Sequence, residues 1–351
     1  MAADAGAVTL TRQVGHAGLD EDDVRIRPGK GSRPRTRRRP AHDEAVEAFV
    51  VAVDRGRYRT WVGDREVTAM KARELGRGGI VVGDNVRLSG DVSGRPDTLA
   101  RVVRVAPRRT ALRRSADDTD PVERIMIANA DQLVIVTALA DPPPRPRLID
   151  RFLVAALDAG LEPLLCLTKA DLASPAGLLA AYEPLGIAHL VTARPLTPAA
   201  LDELREALHD RVSVLVGHSG VGKSTLFNAL VPDASRAVGT VSAVTGRGRH
   251  TSSSALALRL PGGGWVIDTP GLRSFGLGHI SADNVIRAFP DLAEGAAQCQ
   301  PGCSHNEPDC GLDAWVAEHG GPAGPAAARL DSLRRLLRSR EGLGPAGDDD
   351  G

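Results

Sequence analysis

Lysine is nearly missing from this chain. Of 44 basic residues among 351, only Lys30, Lys71, Lys169 and Lys223 are lysine, and the rest are arginine. Another 44 residues are acidic, so the formal charge is zero. A globally basic coat is excluded, and any surface for nucleic acid must be local. Aromatic residues are as scarce: five Phe, three Trp and two Tyr. That is too few for binding through many stacked rings. Four cysteines (Cys166, Cys299, Cys303 and Cys310) are too sparse for a disulfide scaffold. No apolar run approaches the roughly 18–20 residues of a membrane span. The opening MAADAGAVTL lacks the basic and then apolar order of a secretory leader. The expectation is a soluble cytoplasmic protein with no membrane partner.

Glycine and proline, by contrast, are plentiful at 38 and 24 residues, so much of the chain is turn, loop or tail. The length suits two or three domains. Residues 1–42 read as a disordered basic tail. Between Val24 and Pro40 it carries eight basic side chains and no acidic one, which suits an arm that contacts RNA by displacing counterions from phosphates. Residues 43–108 read as a small all-β, OB-like barrel that binds RNA. Short β-rich runs at 47–53, 57–62, 66–69, 85–88 and 99–105 are separated by Gly, Asp and Pro turn signals. Six arginines and no acid between Arg101 and Arg114 extend a basic stripe.

Residues 109–278 read as an α/β domain. Apolar strands at 132–137, 162–168, 187–192, 212–216, 255–260 and 265–267 alternate with helices at 147–159, 176–182, 198–209 and 223–230. Such strands signal a mostly parallel sheet covered on both faces. Residues 279–342 read as a helical segment interrupted by a Cys/His cluster, and 343–351 as an acidic flexible tail.

The chemistry concentrates in a few motifs. Gly217-His218-Ser219-Gly220-Val221-Gly222-Lys223-Ser224, followed by Thr225, stands between an apolar strand and a helix. That is the phosphate-binding loop in its proper context. Its glycines let backbone N–H groups turn around oxyanions at a helix N-terminus. Lys223 would reach the outer phosphates and Ser224 would ligate Mg²⁺. By composition, a random match anywhere in the chain has a probability of about one in two hundred.

Thr168-Lys169-Ala170-Asp171 ends another strand, the side on which α/β sheets bind ligands. A carboxylate there accepts from guanine's imino and amino groups, and adenine lacks that donor pair. Lys169 can lay its stem over the base plane. Thr192-Ala193 is the second, weaker base-contacting loop. Asp268-Thr269-Pro270-Gly271 offers Asp268 to Mg²⁺ and the Gly271 N–H to the γ-phosphate. Thr251 is the candidate switch threonine for Mg²⁺. Leu272 stands where a water-orienting side chain is expected, which leaves His250 as the nearest polar substitute. The base motif precedes the phosphate loop, the reverse of the usual order. This is a circular permutation, feasible because domain termini often lie close together. The second switch then leads straight into the C-terminal region, so nucleotide state should be transmitted there.

Cys299, Cys303, His305 and Cys310 supply three thiolates and an imidazole, a closed tetrahedral set for one structural Zn²⁺. Cys166, inside an apolar strand, reads as core.

Together GHSGVGKST, TKAD, GRGRHT, DTPG and CQPGCSHNEPDC, in this permuted order, resemble the ribosome small-subunit-dependent GTPase family over about residues 43–340. Thr168 departs from the family's Asn, and the cysteine spacing is one residue shorter in two gaps. The resemblance implies a cytoplasmic GTPase, expected to be a monomer, that acts late in small-subunit assembly. It would bind the small ribosomal subunit and its 16S rRNA, be stimulated by the subunit, and turn GTP into GDP and phosphate. Two other readings stay open at this point. One is an ATP-specific P-loop enzyme, and the other is an RNA-binding nucleotide switch with negligible turnover.

Overall fold

The computed structural model describes residues 42–76, 79–114, 124–232, 255–269, 280–307, 310–319, 321 and 324–340. The basic tail up to residue 41 and the acidic tail from 343 lie outside them.

The first described strands are β1 (Val46–Asp54), β2 (Arg57–Val62), β3 (Arg65–Lys71), β4 (Asn85–Gly90) and β5 (Ala100–Val105). Alternation drives them: along β2, Tyr58, Thr60 and Val62 face inward while their neighbours face out. β1 pairs with both β2 and β4, β2 with β3, β3 with β5, and β5 with β4. The five strands therefore close into a barrel filled by Val50, Val67, Leu88 and Val102. This is the OB-like barrel expected from the sequence.

The sequence reading missed the next element. Part of the arginine stripe is strand β6 (Ala111–Arg114), which forms an antiparallel hairpin with β7 (Arg124–Ala128). Leu112 and Ile127 face each other in register and are buried, so this stretch is half core rather than wholly a surface stripe.

The α/β part contains β8 (Gln132–Ala138), β9 (Glu162–Thr168), β10 (Ala188–Val191), β11 (Val212–Val216), β12 (Leu256–Arg259) and β13 (Trp265–Asp268). Their spatial order is β10-β9-β8-β11-β13-β12, parallel except for β12. Helices α1 (Pro146–Asp158), α2 (Ala176–Tyr182), α3 (Pro198–Leu208) and α4 (Lys223–Leu230) connect them. β8 reads as uniformly apolar because both faces are covered. Leu133 and Ile135 pack with Phe152 and Leu153 of α1, whereas Val134 and Val136 pack with Leu204, Leu208 and Phe227 of α3 and α4.

Barrel and α/β sheet are continuous. β1 pairs with β12 at Ala52 and Leu256, which makes one eleven-stranded sheet. Phe49 of β1 stacks on Trp265 of β13, with ring centroids 4.8 Å apart.

The chain ends in α5 (Ala282–Ile286), α6 (Pro290–Ala296), α7 (Gly311–Glu318) and α8 (Pro325–Arg340). Leu330, Leu333, Leu336 and Leu337 form one buried stripe of α8, which enters the same core as α1. Arg335 of α8 binds Asp150 of α1 at 3.1 Å and lies over the Tyr182 ring at 4.8 Å. Burial pushes the Asp150 carboxyl above its ordinary range, while Arg335 and Tyr182 pull the other way. Among the described residues, no helix is long and apolar enough to cross a membrane.

Candidate functional site

β11 ends in the glycine loop at the C-terminal edge of the sheet, and the loop opens α4. Gly217 has φ +143°, and a Cβ there would stand 2.2 Å from the Val136 carbonyl oxygen, so only glycine fits. Gly222, at φ +100°, is the N-cap residue of α4. Lys223 Nζ donates to Gly217 O at 2.5 Å and His218 O at 2.8 Å, which folds its ammonium back over the loop. Ser224 and Thr225 are exposed in the first turn of α4, where free N–H groups and the helix dipole favour anions.

Asp268 ends β13 beside Leu215 of β11. Burial raises its carboxyl above the ordinary range, and the Lys223 charge lowers it. His218 is depressed chiefly by burial, with Arg145, Lys223 and Lys169 adding to the effect. Three cations thus act on the loop's imidazole, and the cleft has the potential an anionic ligand requires.

The base motif meets this loop although it lies some fifty residues earlier in the chain. Thr168 Oγ1 donates to Val221 O at 2.6 Å. Lys169 adopts φ +60°, and its ammonium donates to the Asp141 carbonyl. Ala170 N donates to Thr192 O at 3.0 Å, and Thr192 N donates to Leu167 O at 2.7 Å, which ties the two base loops together. Asp171 is exposed, and its Oδ1 accepts from Arg194 N at 2.8 Å, leaving Oδ2 for a ligand. A small cleft between the two motifs is lined by Thr168, Lys169, Thr192, Ala193, Gly222 and Thr225.

The structure therefore gathers residues 168–171, 192–193, 217–225 and 268 at one end of the sheet. His250, Thr251 and Gly271 lie outside the described residues. The sequence reading passed over two contributors. One is the loop at Asp141 and Pro142, where Pro142 Cδ lies 3.5 Å from where a Gly220 Cβ would stand. The other is Arg194, whose N–H orients Asp171 and which also lines the cleft.

The second site lies between α6 and α7. The donor atoms of Cys299, Cys303, His305 and Cys310 all lie within 4.8 Å of one another. Cys310 Sγ is 3.7 Å from Cys299 Sγ, 3.8 Å from Cys303 Sγ and 3.7 Å from His305 Nδ1. Zn–S bonds of about 2.3 Å place tetrahedral sulfurs about 3.8 Å apart, so the donor set fits zinc. Burial raises the thiols of Cys303 and Cys310 and lowers His305. Burial thus disfavours the charged imidazole, as suits a ligand, while thiolates here call for a cation. Glu307, held down to about 2 by the Ser304 N–H and neighbouring groups, stands 3.2 Å from Cys303 Sγ. Arg334 donates to the His305 carbonyl at 2.9 Å and clasps Asp313, which ties the cluster to α8.

A profile of the RsgA GTPase family matches residues 105–278. The small ribosomal subunit biogenesis GTPase RsgA of Pseudomonas aeruginosa is 43% identical over 246 residues, 68% of this chain and 70% of that protein. The protein of that name from Chlorobaculum tepidum is 35% identical over 311 residues, 84% of this chain and 98% of its own. Among solved structures, YjeQ from Thermotoga maritima superposes with a TM-score of 0.61 at 25% identity, covering 84% of this chain and 99% of that one.

Proposed function

Since this chain belongs to the RsgA GTPase family and is a circularly permuted GTP hydrolase of ribosome biogenesis, we propose that it acts on the small ribosomal subunit late in its maturation. It binds the subunit and its 16S rRNA, and the subunit stimulates hydrolysis of GTP to GDP and phosphate, after which the protein leaves. It works in the cytoplasm as a monomer. Residues 1–42 and the barrel of 43–108 supply RNA contacts, 109–278 the GTPase, and 279–342 a zinc-stapled helical segment.

The observation that supports this most is the meeting of the base motif and the phosphate loop through Thr168 and Val221. In the proposed division of labour, Asp171 accepts from guanine and Lys169 covers its face, with Ala170, Thr192 and Ala193 completing the base pocket. Backbone groups of residues 217–225 and of Gly271 hold the phosphates, and Lys223 offsets charge on the outer ones. Ser224, Thr251 and Asp268 are the residues to hold Mg²⁺, which supplies further charge neutralisation. His250 orients the attacking water. Cys299, Cys303, His305 and Cys310 hold Zn²⁺ in a purely structural role.

The test is phosphate release from GTP by the purified chain with small subunits, large subunits or neither, and with ATP as competitor. Stimulation by small subunits alone is expected, with ATP failing to compete. Equal rates in all three conditions would remove the subunit from the reading, and effective competition by ATP would remove guanine.

A further inference from the structure

Three thiolates around one dication leave a net negative charge, and the cluster shelters it from water, with Cys310 and His305 each 4% exposed. A buried charge needs a partner. Besides burial, three charges bear on His305: the carboxylates of Asp283 and Glu307, and the guanidinium of Arg334. The carboxylates add to the excess, so among these groups only Arg334 opposes it. That residue stands four after Leu330 and three before Leu337, beside the buried stripe of α8, and its side chain is 17% exposed. Its Nε donates to the His305 carbonyl at 2.9 Å, and its two terminal nitrogens donate to Asp313 at 2.8 and 2.7 Å. Asp313 comes first among the groups that keep the guanidinium charged, and the Cys310 sulfur follows. The Asp313 side chain is 43% exposed, so water screens its charge, whereas the Arg334 cation is held against the cluster.

We propose that Arg334 is the counter-charge of the metal centre: a positioning residue that donates no ligand, whose cation steadies the thiolates around Zn²⁺ and so sets how long the metal stays. The assignment rests on the zinc reading given above. It makes α8 part of the metal site, since the ligands of 299–310 by themselves would hold one negative charge with two carboxylates for neighbours. The bond to the His305 carbonyl orients the ligand loop, and the clasp on Asp313 aims the planar fork.

The experiment is zinc transfer from the full chain to the chelator 4-(2-pyridylazo)resorcinol, with the spectrum of the Co²⁺-loaded chain beside it. Arg334→Gln keeps a hydrogen-bond donor and loses the charge. Zinc should leave about tenfold faster. The sulfur-to-cobalt charge-transfer band should also move to longer wavelength, because thiolates freed of a nearby cation give up electrons more readily. Arg334→Lys keeps the charge and should return release to within about threefold of the parent, with the band in place. Asp313→Asn breaks the clasp but spares the cation, so release should stay within about twofold. Should Arg334→Gln not fold, Arg334→Met, which keeps the apolar stem, carries the same comparison. Release from the glutamine variant at the parental rate would overturn the proposal. So would an Asp313→Asn chain as leaky as the glutamine one, since Arg334 would then serve only as a brace between α7 and α8. A parent that takes up no zinc would strike the zinc reading itself, and the proposal with it.

Discussion

The Cys/His cluster and the nucleotide cleft are built on opposite plans. The cluster draws its four donors from the short stretch 299–310, and their spacing alone brings them within 4.8 Å. The site draws on residues from 141 to 268, delivered by β9, β11, β13 and the loops after β8 and β10, with the base motif ahead of the phosphate loop in the chain. Their electrostatics are also opposed. Burial raises the thiols of Cys303 and Cys310, which calls for a cation, whereas Arg145, Lys169 and Lys223 bear on His218, which calls for an anion. A local site can thus be written into consecutive residues. A distributed one depends on the order of strands in a sheet.

Three measurements would break or sharpen this contrast. The largest effect is expected from Cys310→Ser. Bound zinc should fall from about one ion per chain to near zero by metal analysis, because a closed site tolerates no missing ligand. The fluorescent analogue N-methylanthraniloyl GDP should still bind, as the cleft is assembled from other strands, and loss of that binding would show the two sites to be one. Next is Asp171→Asn, which sets an amide against guanine's donors. GDP affinity should fall about a hundredfold by equilibrium titration with zinc content unchanged. Unchanged affinity would take Asp171 out of the purine site.

The smallest effect concerns the buried pair that ties α8 to α1. The Asp150 carboxyl is raised in the folded chain, so its favourable contribution is complete below the unfolded carboxylate range, near pH 4. That contribution is lost as pH climbs through the folded value. Asp150→Asn does not titrate, so its stability in denaturant should change less between pH 4 and 7 than the parent's. Parallel curves would mean that the pair carries no such linkage.

The motifs most visible in the sequence are those whose physics is local. The strands at 57–62 and 212–216 and the helices at 176–182 and 223–230 are legible to the residue, because alternation, apolar runs and glycine punctuation fix them. The β6–β7 hairpin was hidden. Three of the eight residues named by its pairing are arginine, and its apolar side chains count only once Leu112 meets Ile127 on the facing strand. The cleft was legible in its parts but not in its joints. Nothing in the spacing of Thr168 and Val221 announces their hydrogen bond, and Asp141 and Arg194 acquire neighbours only through tertiary folding.

The pairing of Ala52 with Leu256 has a consequence for colloidal behaviour. A lone β12 would leave a row of open peptide groups on that flank of the sheet, a template on which foreign chains could stack. The barrel docks on that flank at Leu256, and at the opposite one β10 runs for only four residues. Excising the barrel would therefore be expected to give a product that self-associates, whatever becomes of its catalysis.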